Sequence, residues 1–434
     1  MCMTGRRRTR TTSPLSPRPR KAKLLYASAL IACASVAVGC GVIPGATGGS
    51  GDGPVKVMTW APEETNATNK PGMPALAKAY ARWVNAHGGI NGRQLEVLTC
   101  NDQNDSVAAA HCAERAADEK VVAVVGSYSQ HSRSFLAPLE SAGIPYIGGF
   151  GVTDDEFTSP ISYPVNGGQP ALLAGLGEQL GKNCGPVSLI RPDTIAGDEL
   201  PVLLDAGLKA LGHSEAADQR AAEDATEYSQ PTRQALQHAS SDSTERGCVV
   251  PALGDHTDTF MDSFRRDSTA YPKVRTGTVI GNIDQSQIDA TGGKSGPYEG
   301  SYVTGWYPTA DDARWNPMRS VIKEQAFGDN RIDPADAGVQ TTWIAYTVLK
   351  KVLEALGAGE ISSLTIRREL DNGLKVNTGG LTPTLRWRFA DLIGAGDFPR
   401  LVNANVTFQV IHDGQLTSQR QGFINMAKTL ANAL

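Results

Sequence analysis

The sequence predicts an α/β fold of two doubly wound parallel-sheet lobes, and three observations carry that prediction. Residues 88–148 read as two consecutive strand, loop, helix units, in which Val121–Val125 (VVAVV) is the wholly apolar β-branched run that a strand buried on both faces requires. After a Gly-, Pro- and Asp-rich break at 148–169 the same alternation begins again. Finally, 434 residues exceed one ordinary core and suit two domains of roughly 150 residues each with processed ends.

The amino-terminal 39 residues hold eight basic side chains (Arg6, Arg7, Arg8, Arg10, Arg18, Arg20, Lys21, Lys23) and no acidic one. Leu24–Gly39 follows, an apolar run short for a membrane span and of the length of a signal-peptide core, so 1–39 is read as an export leader. Ala37, Val38 and Gly39 ahead of Cys40 resemble a bacterial lipobox, in which the cysteine is lipidated; 40–53 is then the lipidated Cys and a Gly-rich tether. Ordinary cleavage nearby, with Cys40 incidental, and a single uncleaved anchor are the other readings. The 41 basic residues less those eight leave 33 against 45 acidic ones in residues 40–434, a net of −12 that argues against nucleic acid as a partner.

Val55–Trp60 reads as the first strand of the body. In the helix that follows, Met73, Leu76, Ala77, Tyr80, Trp83 and Val84 recur at helical spacing, which buries one face and places Trp83 in the core. Gly88-Gly89 stops that helix, Asn91-Gly92 turns the chain, and a strand spans 94–99. Asp105 caps a helix to about Asp118, and after the Val121–Val125 strand the turn Gly126-Ser127-Tyr128-Ser129 leads into a helix at 132–142 and a strand at 143–147. That turn sits at the carboxyl end of a buried strand, where open α/β sheets bind small ligands. Beyond the break come helix 171–180, strand 186–190, a helix to about Leu211, helix 229–239, strand 248–253, helix 258–266 and strands at 276–280 and 298–304. Helices near 315–326 and 335–356, the latter with Val339, Trp343, Tyr346, Leu349 and Val352 at helical spacing, precede strands at 385–389 and 405–410 and a hairpin turn at Asp413-Gly414.

Four cysteines remain once Cys2, Cys33 and Cys40 are set aside. Cys100 with Cys112 and Cys184 with Cys248 are the favoured disulfides, because each pair flanks successive elements of one lobe. A metal site built on His111 and Cys112 competes with the first but lacks ligand spacing, so neither metal nor cofactor is expected. Gly292-Gly293-Lys294-Ser295 resembles the end of a phosphate-binding loop, but position 288 is Ile where that loop has Gly. Ser127, Ser129 and His131 do not form GxSxG, and no enzyme is expected.

With these residues in view, the chain resembles a type I periplasmic binding protein of the branched-chain amino acid (leucine-binding) class, the substrate-binding lipoprotein of an ABC importer. GGINGRQLEV (88–97), the acidic loop at Asp102, VVAVVGSYS (121–129), Gly143-Ile144-Pro145 and Glu299-Gly300-Ser301-Tyr302 carry the resemblance, which runs from Val55 to about Thr417. It implies two lobes joined by three crossover segments, near 164–169, 304–308 and 377–383, with 54–166 and 308–378 in the first lobe and 167–307 and 379–434 in the second. It also implies a monomer held by its lipid on the outer face of the bacterial cytoplasmic membrane, closing on a small polar solute such as an amino acid and delivering it to ABC permease subunits. A sensor of the same fold that signals through a protein partner is the alternative.

Carried over residue by residue, the resemblance places Ser129, with Ser127 and Tyr128 in the same loop, at the ligand carboxylate, and Thr153 as a second hydroxyl there. Where amino-acid binders have Asp for the ligand ammonium this chain has Gln169, and the usual Tyr-Gly of the second lobe is Ala196-Gly197. Asp284, beside Asn282, or Asp193 would then supply the missing charge. Trp60 and Trp306 fit either a ligand-stacking role or the core.

Overall fold

The computed structural model describes residues 53–433 apart from 66, 67, 195, 223 and 224. The expected leader, Cys40 and the tether up to residue 52 lie outside the described residues. In the first lobe β1 (Val55–Trp60), α1 (Gly72–Ala86), β2 (Leu95–Cys100), α2 (Ser106–Asp118), β3 (Ala123–Val125), α3 (Ser132–Ala142), β4 (Tyr146–Ile147) and β5 (Ser162–Tyr163) build a parallel sheet in the order β2-β1-β3-β4-β5. Alternation along β1 shows why its strands must be apolar on both sides: Val55 and Val57 enter the core beneath α1, whereas Met58 and Trp60 enter the one beneath α2 and α3. Asp105 accepts from the Val107 and Ala108 N–H groups and starts α2, and Gly143, at φ 67°, ends α3.

The second lobe repeats the plan with α4 (Gly168–Asn183), β6 (Val187–Pro192), α5 (Glu199–Lys209), β7 (Ala217–Ala221), α6 (Ser229–Ala239), β8 (Cys248–Pro251), α7 (Thr257–Asp267), β9 (Arg275–Val279), α8 (Gln285–Ala290) and β10 (Tyr302–Gly305). The chain then returns to the first lobe for α9 (Asn316–Gln325), α10 (Ala337–Leu356) and α11 (Ser363–Asp371). It finishes on the second with β11 (Asn405–His412), β12 (Gln415–Ser418), β13 (Ile424–Asn425) and α12 (Ala427–Ala431). The second sheet runs β12-β11-β10-β9-β8-β6-β7, so its parallel strands copy the order of the first sheet while β11 and β12 are antiparallel to their neighbours. Helix α4 is buried on nearly all sides because α5 crosses it closely; a Cβ on Gly207 would stand 2.0 Å from the Ala174 carbonyl oxygen.

One strand escaped the sequence reading, and two readings are corrected. Strand β7 (ADQRA) is polar because it forms the sheet edge, where alternate side chains meet water. Residues 385–389 form no strand: Leu385 makes one isolated bridge to Val376, and Trp387 is buried with its Nε1 donating to the Pro164 carbonyl at 2.9 Å. Residues 387–400 pack on first-lobe elements. Phe398 packs on Phe157, Arg400 donates to the Ser162 carbonyl at 2.9 Å, and the return to the second lobe comes at Asn403, whose amide bonds the Val165 carbonyl. Trp83 is only half-buried, resting against Tyr80 and His87.

Both disulfides form as expected. Cys100–Cys112 joins the end of β2 to α2, and Cys184–Cys248 joins the end of α4 to β8. Among the described residues no cluster of His, Cys, Asp or Glu could hold a metal ion, and no helix is long and apolar enough to cross a membrane.

Candidate functional site

Loops at the carboxyl ends of the parallel strands meet between the lobes, where Phe150, after β4, packs against Gly281, after β9; this is the position at which doubly wound sheets present loops to a ligand. In the first lobe, the turn after β3 and the loop after β4 form its wall. Tyr128 meets Phe150 edge to face with ring centroids 5.1 Å apart, and Phe150 meets Trp306, from the second crossover, in the same way at 5.0 Å. Phe150 also closes on the opposite lobe: a Cβ on Gly281 would lie 3.2 Å from its ring. Lys70 stands over that ring at 5.8 Å and is tied to Asp336 at 3.0 Å. Burial works to lower the ammonium's pKa, but Asp336, with smaller help from Tyr128 and Asp284, raises it on balance.

The second lobe supplies a pocket of about 70 Å³ lined by Leu173, Leu176, Val250, Pro251, Ala252 and Val279, with Gln169, Thr278 and Asn282 as its polar points. None of its lining side chains is charged. Thr278 is 3% exposed and its hydroxyl has no partner among the described residues, a buried group that a ligand can satisfy.

The expected site residues separate on this geometry. Gln169 and Asn282 line the pocket, and Tyr128 belongs to the aromatic wall. Ser129 lies deeper; its hydroxyl accepts from the His131 N–H at 3.1 Å, and it stands close enough to Asp102, a fully buried carboxyl, to favour that group's charged form. Burial raises the Asp102 pKa, against the opposing pull of Ser129 and the Asn104 N–H, and its Oδ2 has no partner among the described residues. Ser127 accepts from the Trp60 N–H at 3.1 Å and so joins β1 to β3 within the core. Thr153 donates to Ser132 at 2.6 Å and caps a short 3₁₀ turn, which uses the hydroxyl expected at the carboxylate. Asp193 is exposed beside Arg220 at 3.5 Å, away from the pocket. Asp284 accepts from the Gln287 N–H at 2.9 Å as the cap of α8, and burial, with Asp336 and Asp333 nearby, raises its pKa. Trp60 and Trp306 are both buried, Trp60 within the first-lobe core and Trp306 at the crossover.

Sequence reasoning missed Phe150, Lys70 and Thr278. Phe150 carried a usable signal, a lone aromatic in Gly148-Gly149-Phe150-Gly151 just after a strand; Lys70 and Thr278 stand out only once the lobes meet.

The loop bearing Phe150 is held by Glu156, 2% exposed, whose carboxylate accepts from the Gly151, Val152 and Thr153 N–H groups at 3.2, 2.9 and 3.4 Å. Burial nevertheless pushes its pKa up to about 7. A carboxyl held above its unfolded value of 4.5 stabilises the fold when protonated, and that contribution is lost as pH rises through the folded value. Stability should therefore fall by about 3 kcal/mol between roughly pH 4.5 and 7 on account of this group. Urea midpoints at the two ends of that window, for the protein and for Glu156→Gln, check it: the variant should show a flatter pH dependence.

A periplasmic binding protein family model matches residues 64–393. A search of curated proteins finds no match. Among solved structures, a solute-binding protein of an ABC transporter from R. palustris, in complex with 4-hydroxybenzoate, aligns at TM-score 0.67 with 13% identity over 86% of this chain and 97% of its own. An extracellular ligand-binding receptor from Verminephrobacter eiseniae aligns at 0.66 with 14% identity, covering 84% and 99%. A leucine-binding protein from Thermotoga maritima aligns at 0.64 with 16% identity, covering 86% and 99%. At such identities the alignments speak for the fold, two parallel-sheet lobes about a cleft, and the family model speaks for kinship. The chain belongs to the periplasmic binding protein family, with the type I fold.

Proposed function

We propose that this protein captures a small solute between its lobes outside the cytoplasm and delivers it to an ABC importer, without covalent chemistry. The observation that carries the reading is the uncharged second-lobe pocket, whose Asn282 follows directly on Gly281, the residue that Phe150 of the first lobe packs against. At about 70 Å³ this pocket takes one end of a solute whose remainder lies in the cleft, and its lining suits an apolar group with a hydrogen-bonding tip, in keeping with the 4-hydroxybenzoate and leucine named for two structural neighbours. Gln169 in place of an acidic residue removes the expected partner of an ammonium group, which favours aromatic or branched acids over free amino acids. Gln169, Thr278 and Asn282 hold the tip, and Ser129, behind the Tyr128 turn, acts on the first-lobe side of the cleft. Closure follows because a solute touching both lobes favours the closed population. The lipid anchor at Cys40, the leader and the monomeric state are parts of the same proposal.

A thermal-shift screen of residues 54–434 against aromatic acids, branched-chain keto acids and amino acids tests it. A true solute at a hundredfold excess over its Kd adds about 2.7 kcal/mol of stability. Gln169→Ala and Thr278→Val should each weaken that solute about tenfold with the unliganded melting temperature little changed, and Ser129→Ala should weaken it as well. Unaltered affinity in all three variants, measured by titration calorimetry, would place the solute elsewhere.

A further inference from the structure

A second cavity, of about 270 Å³, lies beside the second crossover and shares no lining residue with the cleft pocket. One side is formed by residues 308–314, the other by β12 and the loop after it, and Gln409 on β11 contributes to its lining. Gln409 is 2% exposed. Its Nε2 donates to the Tyr307 carbonyl at 3.0 Å and to the Thr407 hydroxyl at 2.9 Å, while its Oε1 has no partner among the described residues. A buried acceptor left without a donor is costly, and a donor entering the cavity would relieve it.

The charges around the cavity balance. Asp312 and Arg314 pair with each other at 2.7 Å, whereas Asp311 and Arg420 are exposed and have no ion pair among the described residues. Two carboxylates against two guanidinium groups give no net preference for an anion or a cation. Carboxylate, guanidinium and carboxamide groups are all planar and bidentate, which is the geometry that adjacent hydroxyls on one molecule satisfy. Phe423, half-buried in the same lining, offers an apolar ring for the C–H face of such a molecule. The volume falls just below the roughly 300–1,000 Å³ of pockets for drug-sized ligands, so the occupant is smaller than those.

We propose that this cavity is a second ligand site, distinct from the interlobe cleft, which takes a neutral polyhydroxylated molecule of monosaccharide size. Hydroxyl donors meet Gln409 Oε1 and Asp311, hydroxyl oxygens accept from Arg420, and the ring face rests on Phe423.

Titration calorimetry of the protein with D-glucose, D-galactose and myo-inositol, and with gluconate and glucosamine as charged counterparts, tests this. At least one neutral polyol should bind, more tightly than either charged molecule. Gln409→Met and Arg420→Ala should each weaken it by about tenfold or more, and Gln169→Ala should leave it unchanged. Because Arg420 is exposed, its variant reads the site even where Gln409→Met disturbs folding. The proposal is overturned if no neutral polyol binds, if the charged molecules bind equally well, or if binding survives Arg420→Ala. Loss of polyol binding in Gln169→Ala would likewise overturn it, by moving the polyol into the cleft.

Discussion

Replacing Cys184 and Cys248 together by alanine should lower the unfolding free energy by about 4 kcal/mol, whereas the same change at Cys100 and Cys112 should lower it by about 3 kcal/mol. The difference comes from the length of chain that each bond closes in the unfolded state, 64 residues in the first case and 12 in the second. In the folded state both bonds only confirm positions that packing already sets: Cys248 and Cys112 are fully buried, and Cys184 is 9% exposed at the end of α4. The larger loop takes in β6, α5, β7 and α6, so its loss frees about a third of the second lobe in the unfolded ensemble. Urea denaturation of the two double variants gives both numbers. Equal losses, or a larger loss for the shorter loop, would mean that the bonds act through native contacts and not through chain entropy.

How much of this molecule could be read from its residues depended on whether burial or assembly set the pattern. Val121–Val125 announced a two-sided strand because both faces of β3 are covered, and the Asp105 cap was legible because it is purely local. Strand β7 was not, since an edge strand with water on one side has no apolar run to display. Trp387 misled for the opposite reason: its alternating surroundings looked like a strand, but the ring is buried as a single anchor under the Pro164 carbonyl. The same division holds in the cleft. Gln169, reached through resemblance, and Asn282, noted beside Asp284, line the pocket, whereas Thr153 bonds Ser132 and the exposed Asp193 stands beside Arg220, contacts that no local sequence reveals. Thr278 matters only because its hydroxyl is left unpartnered by β9 in a pocket shared with α4, a condition set by tertiary packing.

Trp306→Ala should cost about 3–5 kcal/mol of stability, the range for deleting a buried tryptophan, and should weaken solute binding in the same step. Trp306 is 2% exposed at the crossover, and its Nε1 donates to the Gly168 carbonyl at 2.9 Å, so it fixes the start of α4, where Gln169 enters the pocket. Its ring also backs Phe150, which reaches across to Gly281. Removing it therefore opens a cavity at the hinge, frees a carbonyl and withdraws support from one wall of the cleft. Trp387→Ala provides the comparison. That ring is equally buried and its Nε1 equally bonded, but to Pro164, away from the pocket, so its loss should cost similar stability and leave the solute affinity of the folded fraction intact. Trp306→Phe should keep an aromatic edge against Phe150 while leaving the Gly168 carbonyl without its donor. It should fall between the protein and Trp306→Ala in stability, and nearer to the protein in affinity. Urea midpoints combined with titration of the solute separate these outcomes. If Trp306→Ala were destabilised as expected and still bound solute with full affinity, the aromatic wall would belong to the hinge alone, and the cleft would recognise its solute through Gln169, Thr278 and Asn282 without it.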